Sequence, residues 1–295
     1  MSGKTLMKIG TLSLGAFALF GCAYHPTNIN RSFTLSPGQG GSLSSTTSYA
    51  PYSYQERSTR KFLFIGNSFT YYNDLPSLMV TLGEECGLTL SATMFAVGSQ
   101  ELVQSANINN ALGAQIRAEI EAHHDYTDIV FQEQSTLPLD AATLFKQGAR
   151  ALRELITPLE PEASFHFYAT WGYEALAAAH SVSIPECEQS LRSSIETTAQ
   201  SLGMDVAEVG KAFSYVYANH STINLYNTSD KKHPSFAGTY LSALVQLGTY
   251  THADLTKITY HGKEGTSNEY GETFIPEVDA GVLRDVAQKV VSNLI

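Results

Sequence analysis

"FLFIGNSFTYYN", residues 62–73, is the stretch on which the reading of this chain turns. Four apolar residues run directly into Gly66, Asn67 and Ser68, so a buried strand delivers a hydroxyl at its carboxyl end. From Arg60 onward the same kind of strand recurs. Residues 61–65, 88–95, 128–132, 164–170 and 204–209 read as strands. Residues 75–86, 107–123, 141–156 and 185–202 read as the helices between them, the first with Asp74 as N-cap and Pro76 in its first turn. Two more helices, over 236–249 and 278–294, close the chain, and the Gly- and Tyr-containing stretch 260–274 reads as a surface loop or short hairpin. Short strands that are apolar throughout and separated by helices imply a parallel sheet covered on both faces. The expected fold is therefore one doubly wound (flavodoxin-like) three-layer α/β domain of about five strands over residues 60–295.

The bulk properties agree with a large core, since 43% of the 295 residues are hydrophobic and only 16% are charged. The first 22 residues stand apart. Lys4 and Lys8 precede an apolar run, residues 9–20, that is too short for a bilayer span of about 20 residues and reads as a secretory signal. Its end, Leu19-Phe20-Gly21-Cys22, resembles the bacterial lipobox, although Phe20 is bulky for its place. That resemblance implies that Cys22 is lipidated and becomes the mature N-terminus. Ala23 after it implies the outer membrane. The alternative is an ordinary signal peptide with an incidental cysteine. Residues 23–59, centred on "SPGQGGSLSSTTSYAPYSY", bury too little apolar surface to order themselves and read as a flexible tether, the alternative being that their tyrosines pack locally on the domain.

Cleavage at Cys22 removes Lys4 and Lys8 and no acid, so the net charge of −10 becomes −12. An acidic, aromatic-rich chain with no basic run is a poor candidate for nucleic-acid binding, because phosphate affinity comes from clustered Lys and Arg. Cys86 and Cys187 remain in a compartment that permits disulfides, and two separated thiols leave their pairing open. No cysteine and histidine spacing suggests zinc. The chain reads as a monomer with no metal and no cofactor.

In an open parallel sheet, ligands collect beyond the carboxyl ends of the strands. Ser68 lies there after the first strand, Gly98 after the second in "FAVGSQEL", and Gln132 after the third in "DIVFQEQS". A fourth element is "SDKKHPSFAGTYLSA", in which Asp230 and His233 stand three apart just before a helix. An aspartate so placed can accept the proton of one imidazole nitrogen and leave the other facing a serine. Each residue has a plainer alternative. Ser68 could cap a turn, Gly98 could relieve one, and Asp230 with His233 could form a surface turn. Gln132 could bond the neighbouring loop and leave functional work to Glu133 or Gln134. Ser135, His123, His124 and His180 read as structural or solvated, and Trp171 reads as packing rather than as a platform for a sugar.

"GNSFT", Gly98 and "DKKHPS" together resemble the blocks of the SGNH (GDSL-like) hydrolase superfamily, over residues 61–294. Asn67 stands where that family has aspartate, and Gln132 replaces the asparagine of its third block; "VFQEQS" and "ATWGY" resemble a poorly characterised bacterial branch. The resemblance implies a serine esterase. Ser68 would be the nucleophile, His233 the general base and Asp230 its orienting partner. The oxyanion hole would consist of the amides of Ser68 and Gly98 and the Gln132 side chain. It further implies a small-molecule or glycan ester as substrate, with O-acetyl on a carbohydrate as the leading case and a lipase or thioesterase as the variant on the same site. The reading from another class is a flavodoxin-like or glycan-binding lipoprotein, which leaves Asp230 and His233 without a task. No Gly-x-Ser-x-Gly elbow occurs, which argues against an α/β-hydrolase.

Overall fold

The computed structural model describes residues 48–295; the signal segment, Cys22 and residues 23–47 of the expected tether lie outside the described residues. β1 (Thr59–Gly66) passes through the one-turn α1 (Ser68–Tyr71) and a 3-10 turn (Tyr72–Asp74) into α2 (Leu75–Glu85). β2 (Thr89–Ala96), the short α3 (Leu102–Ser105) and α4 (Ala111–Ala122) follow. Next come β3 (Asp128–Phe131), the single-turn α5 (Leu137–Asp140), α6 (Ala142–Ile156) and β4 (Ser164–Tyr168). After these lie α7 (Glu174–Ala179), α8 (Ile184–Leu202) and β5 (Asp205–Ala207). The chain ends in α9 (Val209–Asn219), α10 (Phe236–Thr251), a hairpin of β6 (Gly262–Asn268) and β7 (Gly271–Phe274), and α11 (Glu277–Val291).

Five parallel strands form one sheet in the order β2-β1-β3-β4-β5, the doubly wound α/β arrangement expected. β2 lies on one side of β1 and β3 on the other, so the winding reverses at β1 and leaves a crevice beyond the carboxyl ends of β1 and β3. Strand side chains alternate between faces, and both faces are dry. Phe62, Phe64, Val130 and Tyr168 share one core with α2, α9, α10 and α11. Leu63, Ile65, Ile129, Phe131, Phe165 and Phe167 share the other with α4 and α6. α8 serves both, giving Leu191 to the first and Ile195, Ala199 and Leu202 to the second.

The departures from expectation have local causes. The strand expected over 204–209 stops at Ala207, and Val209 opens a helix that the sequence reading lacked. Its "VGKAFSYVYAN" holds β-branched and aromatic residues of modest helix propensity, but Val209, Ala212, Phe213 and Val216 recur at helical spacing and are buried, which outweighs propensity. Asp74 holds the N-cap position of α2 as expected, but its side chain makes no cap bond; it adopts φ 51° beside Asn73 at φ 53°, and this left-handed pair bends the chain sharply between α1 and α2. Residues 48–58, which the composition assigned to the tether, lie along the domain. Tyr49 lies under the Arg153 guanidinium at 4.3 Å, Tyr52 meets His166 edge-on at 5.5 Å, and Tyr54 stacks on His252 at 3.6 Å. Each ring brings apolar area that a Ser/Gly count misses. Cys86 and Cys187 are both free.

At the amino edge of the sheet, Asp128 at the start of β3 takes Arg60 Nη1 at 2.8 Å and His166 Nε2 at 2.9 Å, with the Arg60, Asp128 and His166 side chains fully buried. Burial opposes charge on His166, but bonds and charge from Asp128 and Asp205 win and hold its pKa above the ordinary histidine value; His166 and Arg60, with a bond from Thr127, pull Asp128 below the ordinary aspartate value despite its burial. The signs define a window. The raised histidine stabilises the fold at low pH and loses that contribution as pH rises through its folded pKa. The lowered aspartate stabilises it at higher pH and loses that contribution as pH falls through its own. The network is strongest between the ordinary values of 3.8 and 6.5. Asp128→Asn leaves the buried Arg60 without its carboxylate and His166 with only Asp205, 3.7 Å away, and should cost about 3–5 kcal/mol in urea unfolding near pH 6. A loss below about 1 kcal/mol would show that the network is not charged.

Candidate active site

The end of β1 forms a turn with no spare room. A Cβ on Gly66 would stand 2.5 Å from Thr70 Oγ1 and 2.7 Å from Gln132 Oε1. Gln132 Oε1 accepts from Asn67 N and from Thr70 Oγ1, both at 2.9 Å, which fastens the turn to β3. Asn67 Oδ1 caps α1 by accepting from Phe69 N at 3.2 Å, while its Nδ2 donates to Gln100 O at 3.0 Å. An aspartate could make the first bond but not the second. Asn67 thus ties the serine turn to the loop after β2, which gives its departure from the Gly-Asp-Ser form a physical reason.

His233 reaches the same place from the far end of the chain. Asp230 Oδ1 accepts from Lys232 N and His233 N, each at 2.9 Å, and Lys231 at φ 52° closes this tight turn. Asn227 N donates to His233 O at 2.7 Å, and Trp171 Nε1 donates to Lys232 O at 3.0 Å. Ser235 Oγ then accepts from Gly238 N at 3.1 Å and caps α10. "DKKHPS" therefore finishes a turn and starts a helix, with the imidazole held at the junction. Nδ1 lies 2.6 Å from Asp230 Oδ2 and Nε2 lies 2.7 Å from Ser68 Oγ. With its Nδ1–H donated to the carboxylate, the ring presents Nε2 as the acceptor of the serine proton.

Aromatic rings enclose the imidazole. Tyr72 stacks on it at 4.2 Å and 8°, Tyr270 of the β6–β7 hairpin stacks on Tyr72 at 4.1 Å, and Phe69 lies 5.4 Å away. The hairpin is latched there by Asn268 Nδ2 donating to Asn73 Oδ1 at 3.0 Å and Asn227 Nδ2 donating to Tyr270 O at 3.3 Å. Burial lowers the His233 pKa below its ordinary value, and the Lys232 ammonium adds to this, against the opposing pull of Asp230. Burial pushes Asp230 upward, but bonds from the His233 ring and from the backbone N–H groups of Lys232 and His233 outweigh it, so this carboxylate stays below its ordinary range. A neutral base and an ionised orienting group result.

Gly98 lies in the exposed loop after β2, where Ser99, at φ 60°, takes the left-handed turn. A Cβ on Gly98 would meet only Tyr71 Oη, at an ordinary 3.4 Å, so the turn itself does not demand glycine. The N–H groups of Ser68 and Gly98 make no hydrogen bond among the described residues. Gln132 departs from expectation. Its Oε1 holds the serine turn, one of its two Nε2 protons goes to Glu133 O, and the side chain lies buried under the turn. The longer stem of glutamine permits that placement.

Glu133 and Gln134 are engaged as well. Glu133 Oε1 accepts from Leu102 N at 3.1 Å and Gln134 N at 2.6 Å, and burial pushes its carboxyl up to about 8. Gln134 Oε1 accepts from Thr136 N at 2.8 Å and Leu137 N at 3.1 Å. Ser135 bonds the Tyr173 hydroxyl, and His123, His124 and His180 are exposed. Trp171 is packing, fully buried and stacked on Phe213 at 3.9 Å, and its indole also anchors the His233 turn. That anchoring, and the Tyr72–Tyr270 stack, were missed in the sequence. The doubled tyrosine after "GNSFT" was a usable signal for Tyr72; nothing local marks Tyr270. Among the described residues no cluster of His, Cys, Asp or Glu could hold a metal ion.

No family model matches the chain, and no curated protein matches it. Among solved structures, a DUF4886 family protein from Bacteroides uniformis is similar at TM-score 0.67 and 18% identity, over 79% of this chain and 95% of that one. A candidate SGNH hydrolase from Slackia heliotrinireducens is similar at TM-score 0.54 and 24% identity, over 65% of this chain and 98% of that one.

An NMR titration of the His233 ring should give a midpoint below 6.5, the ordinary value, and Tyr72→Ala should raise it by admitting water to the imidazole. A wild-type midpoint above 6.5 would mean that Asp230, not burial, governs the ring.

Proposed function

We propose that this chain, which has the fold of the SGNH hydrolases, is a serine esterase acting on a small acyl ester through an acyl-serine intermediate. The observation that carries the reading is the continuous relay from Ser68 Oγ to His233 Nε2 and from His233 Nδ1 to Asp230 Oδ2, at 2.7 and 2.6 Å. A serine hydroxyl is a weak nucleophile unless a base takes its proton as it attacks. Ser68 Oγ bonds to the carbonyl carbon, its proton passes to Nε2, and the carbonyl π pair moves onto oxygen. Collapse of that adduct expels the alcohol, which takes the proton from Nε2. Water then repeats the sequence on the acyl-serine and releases the acid. Asp230 fixes the tautomer and supports the imidazolium throughout. The unused N–H groups of Ser68 and Gly98 support a role as oxyanion donors. A non-catalytic binding protein would have no use for a desolvated, neutral histidine on a serine.

The substrate clause, a short acyl group such as O-acetyl on a carbohydrate, rests on the resemblance of the sequence blocks and on the exported address. The same reading tethers the enzyme in the bacterial envelope, at the outer membrane, through lipidated Cys22. The wild type should hydrolyse p-nitrophenyl acetate faster than longer-chain esters, and Ser68→Ala and His233→Ala should each lose roughly 10⁴-fold or more in kcat. Undiminished hydrolysis by either variant would remove the mechanism. Cells fed a radioactive fatty acid should label the wild type and not Cys22→Ser; a labelled Cys22→Ser would end the anchoring clause.

A further inference from the structure

Withdrawal of the Gln132 amide leaves the expected oxyanion hole one donor short. The side chain is buried, with Asn67 N and Thr70 Oγ1 on its oxygen and Glu133 O on one of its two amide protons. Freeing Nε2 would require breaking the bonds that shape the serine turn. Two backbone N–H groups remain, those of Ser68 and Gly98.

Tyr71 stands where a third donor is needed. It closes α1 three residues after Ser68, which puts it on the same side of that turn as the nucleophile. Its hydroxyl would be 3.4 Å from a Cβ on Gly98, so it lies against the glycine whose amide is one of the two remaining donors. Its ring is held by Tyr72 at 5.6 Å and 28°, and Tyr72 is itself clamped between His233 and Tyr270. The ring therefore belongs to the same rigid stack that fixes the general base. Burial holds the phenol's pKa above its ordinary value and Glu269 adds to this, with the neighbouring Ser68 hydroxyl opposing; the phenol keeps its proton at neutral pH and is a donor there.

We propose that the Tyr71 hydroxyl is the third donor of the oxyanion hole, taking over from the glutamine amide that is held under the turn. The inference rests on the esterase reading. When Ser68 Oγ attacks, the negative charge forms on an oxygen one bond away from the carbon that Oγ has joined. A hydroxyl beside both Ser68 and Gly98 reaches that oxygen without leaving its stack. Tyr71 transfers no proton; it donates a hydrogen bond that strengthens as charge develops. Gln132 is on this account a positioning residue for the serine turn.

The test is Tyr71→Phe, which removes one oxygen and keeps the ring and its packing. On p-nitrophenyl acetate the variant should lose about 10²-fold in kcat with KM within about threefold of the wild type, as for loss of one such donor. A boronic acid that forms a tetrahedral adduct with Ser68 should bind the variant more weakly by a similar factor. Activity of Tyr71→Phe within about threefold of wild type would overturn the assignment. So would a loss of kcat with unchanged boronic acid affinity, since that marks a merely structural effect. Ser68→Ala separates the two levels. If it abolishes activity while Tyr71→Phe does not, the esterase stands and the donor assignment falls. If Ser68→Ala is active, both fall.

Discussion

An imidazole and a hydroxyl separated by 165 residues of chain meet at 2.7 Å, and the rest of the structure is arranged to make that meeting permanent. The sheet supplies the coarse part. With β1 at the point where the winding reverses, whatever follows β1 projects into an open crevice. The fine part comes from hydrogen bonds that leave neither partner free to swing. Gln132 and Asn67 lock the serine turn from β3 and from the loop after β2, while Asp230, Asn227 and the Trp171 indole lock the histidine turn. Positions fixed before substrate arrives cost nothing in reorganisation when charge develops.

The two edges of the sheet use the same residue types to opposite ends. At the amino edge His166 is fully buried between carboxylates and is held charged, within a network that includes Arg60. At the carboxyl edge His233 also pairs with an aspartate, but the aromatic stack and Lys232 keep it neutral. Burial opposes charge in both cases; the number and sign of neighbouring charges decide the outcome. The first arrangement holds strands together and offers a ligand nothing. The second leaves an imidazole nitrogen free to accept a proton, together with two backbone donors that have no partner among the described residues.

Much of this was legible in the chain. Apolar runs of strand length separated by helical spacing gave a parallel sheet, and "GNSFT" with "DKKHPS" gave the two pieces that meet. Those signals are local, because a strand that ends in a serine and an Asx turn that ends in a histidine are each written in consecutive residues. What stayed hidden depends on distant contacts. Gln132 has the amide of a donor, and only its bonds to Asn67, Thr70 and Glu133 show that the side chain is built into the serine turn. Tyr270 lies on a hairpin with no pattern of its own, yet it completes the stack over the base. α9 was missed because burial along one face overrode weak helix propensity, and the tyrosines of residues 48–58 were discounted because their neighbours are Ser and Pro.

The central claim is that Ser68 is made nucleophilic by His233. Covalent labelling with a fluorophosphonate, with the adduct mapped by mass spectrometry, tests it most directly. The account predicts one phosphonylated residue, Ser68, and loss of labelling in His233→Ala. An adduct on any other residue, or labelling of Ser68 that persists at the wild-type rate without the imidazole, would contradict it.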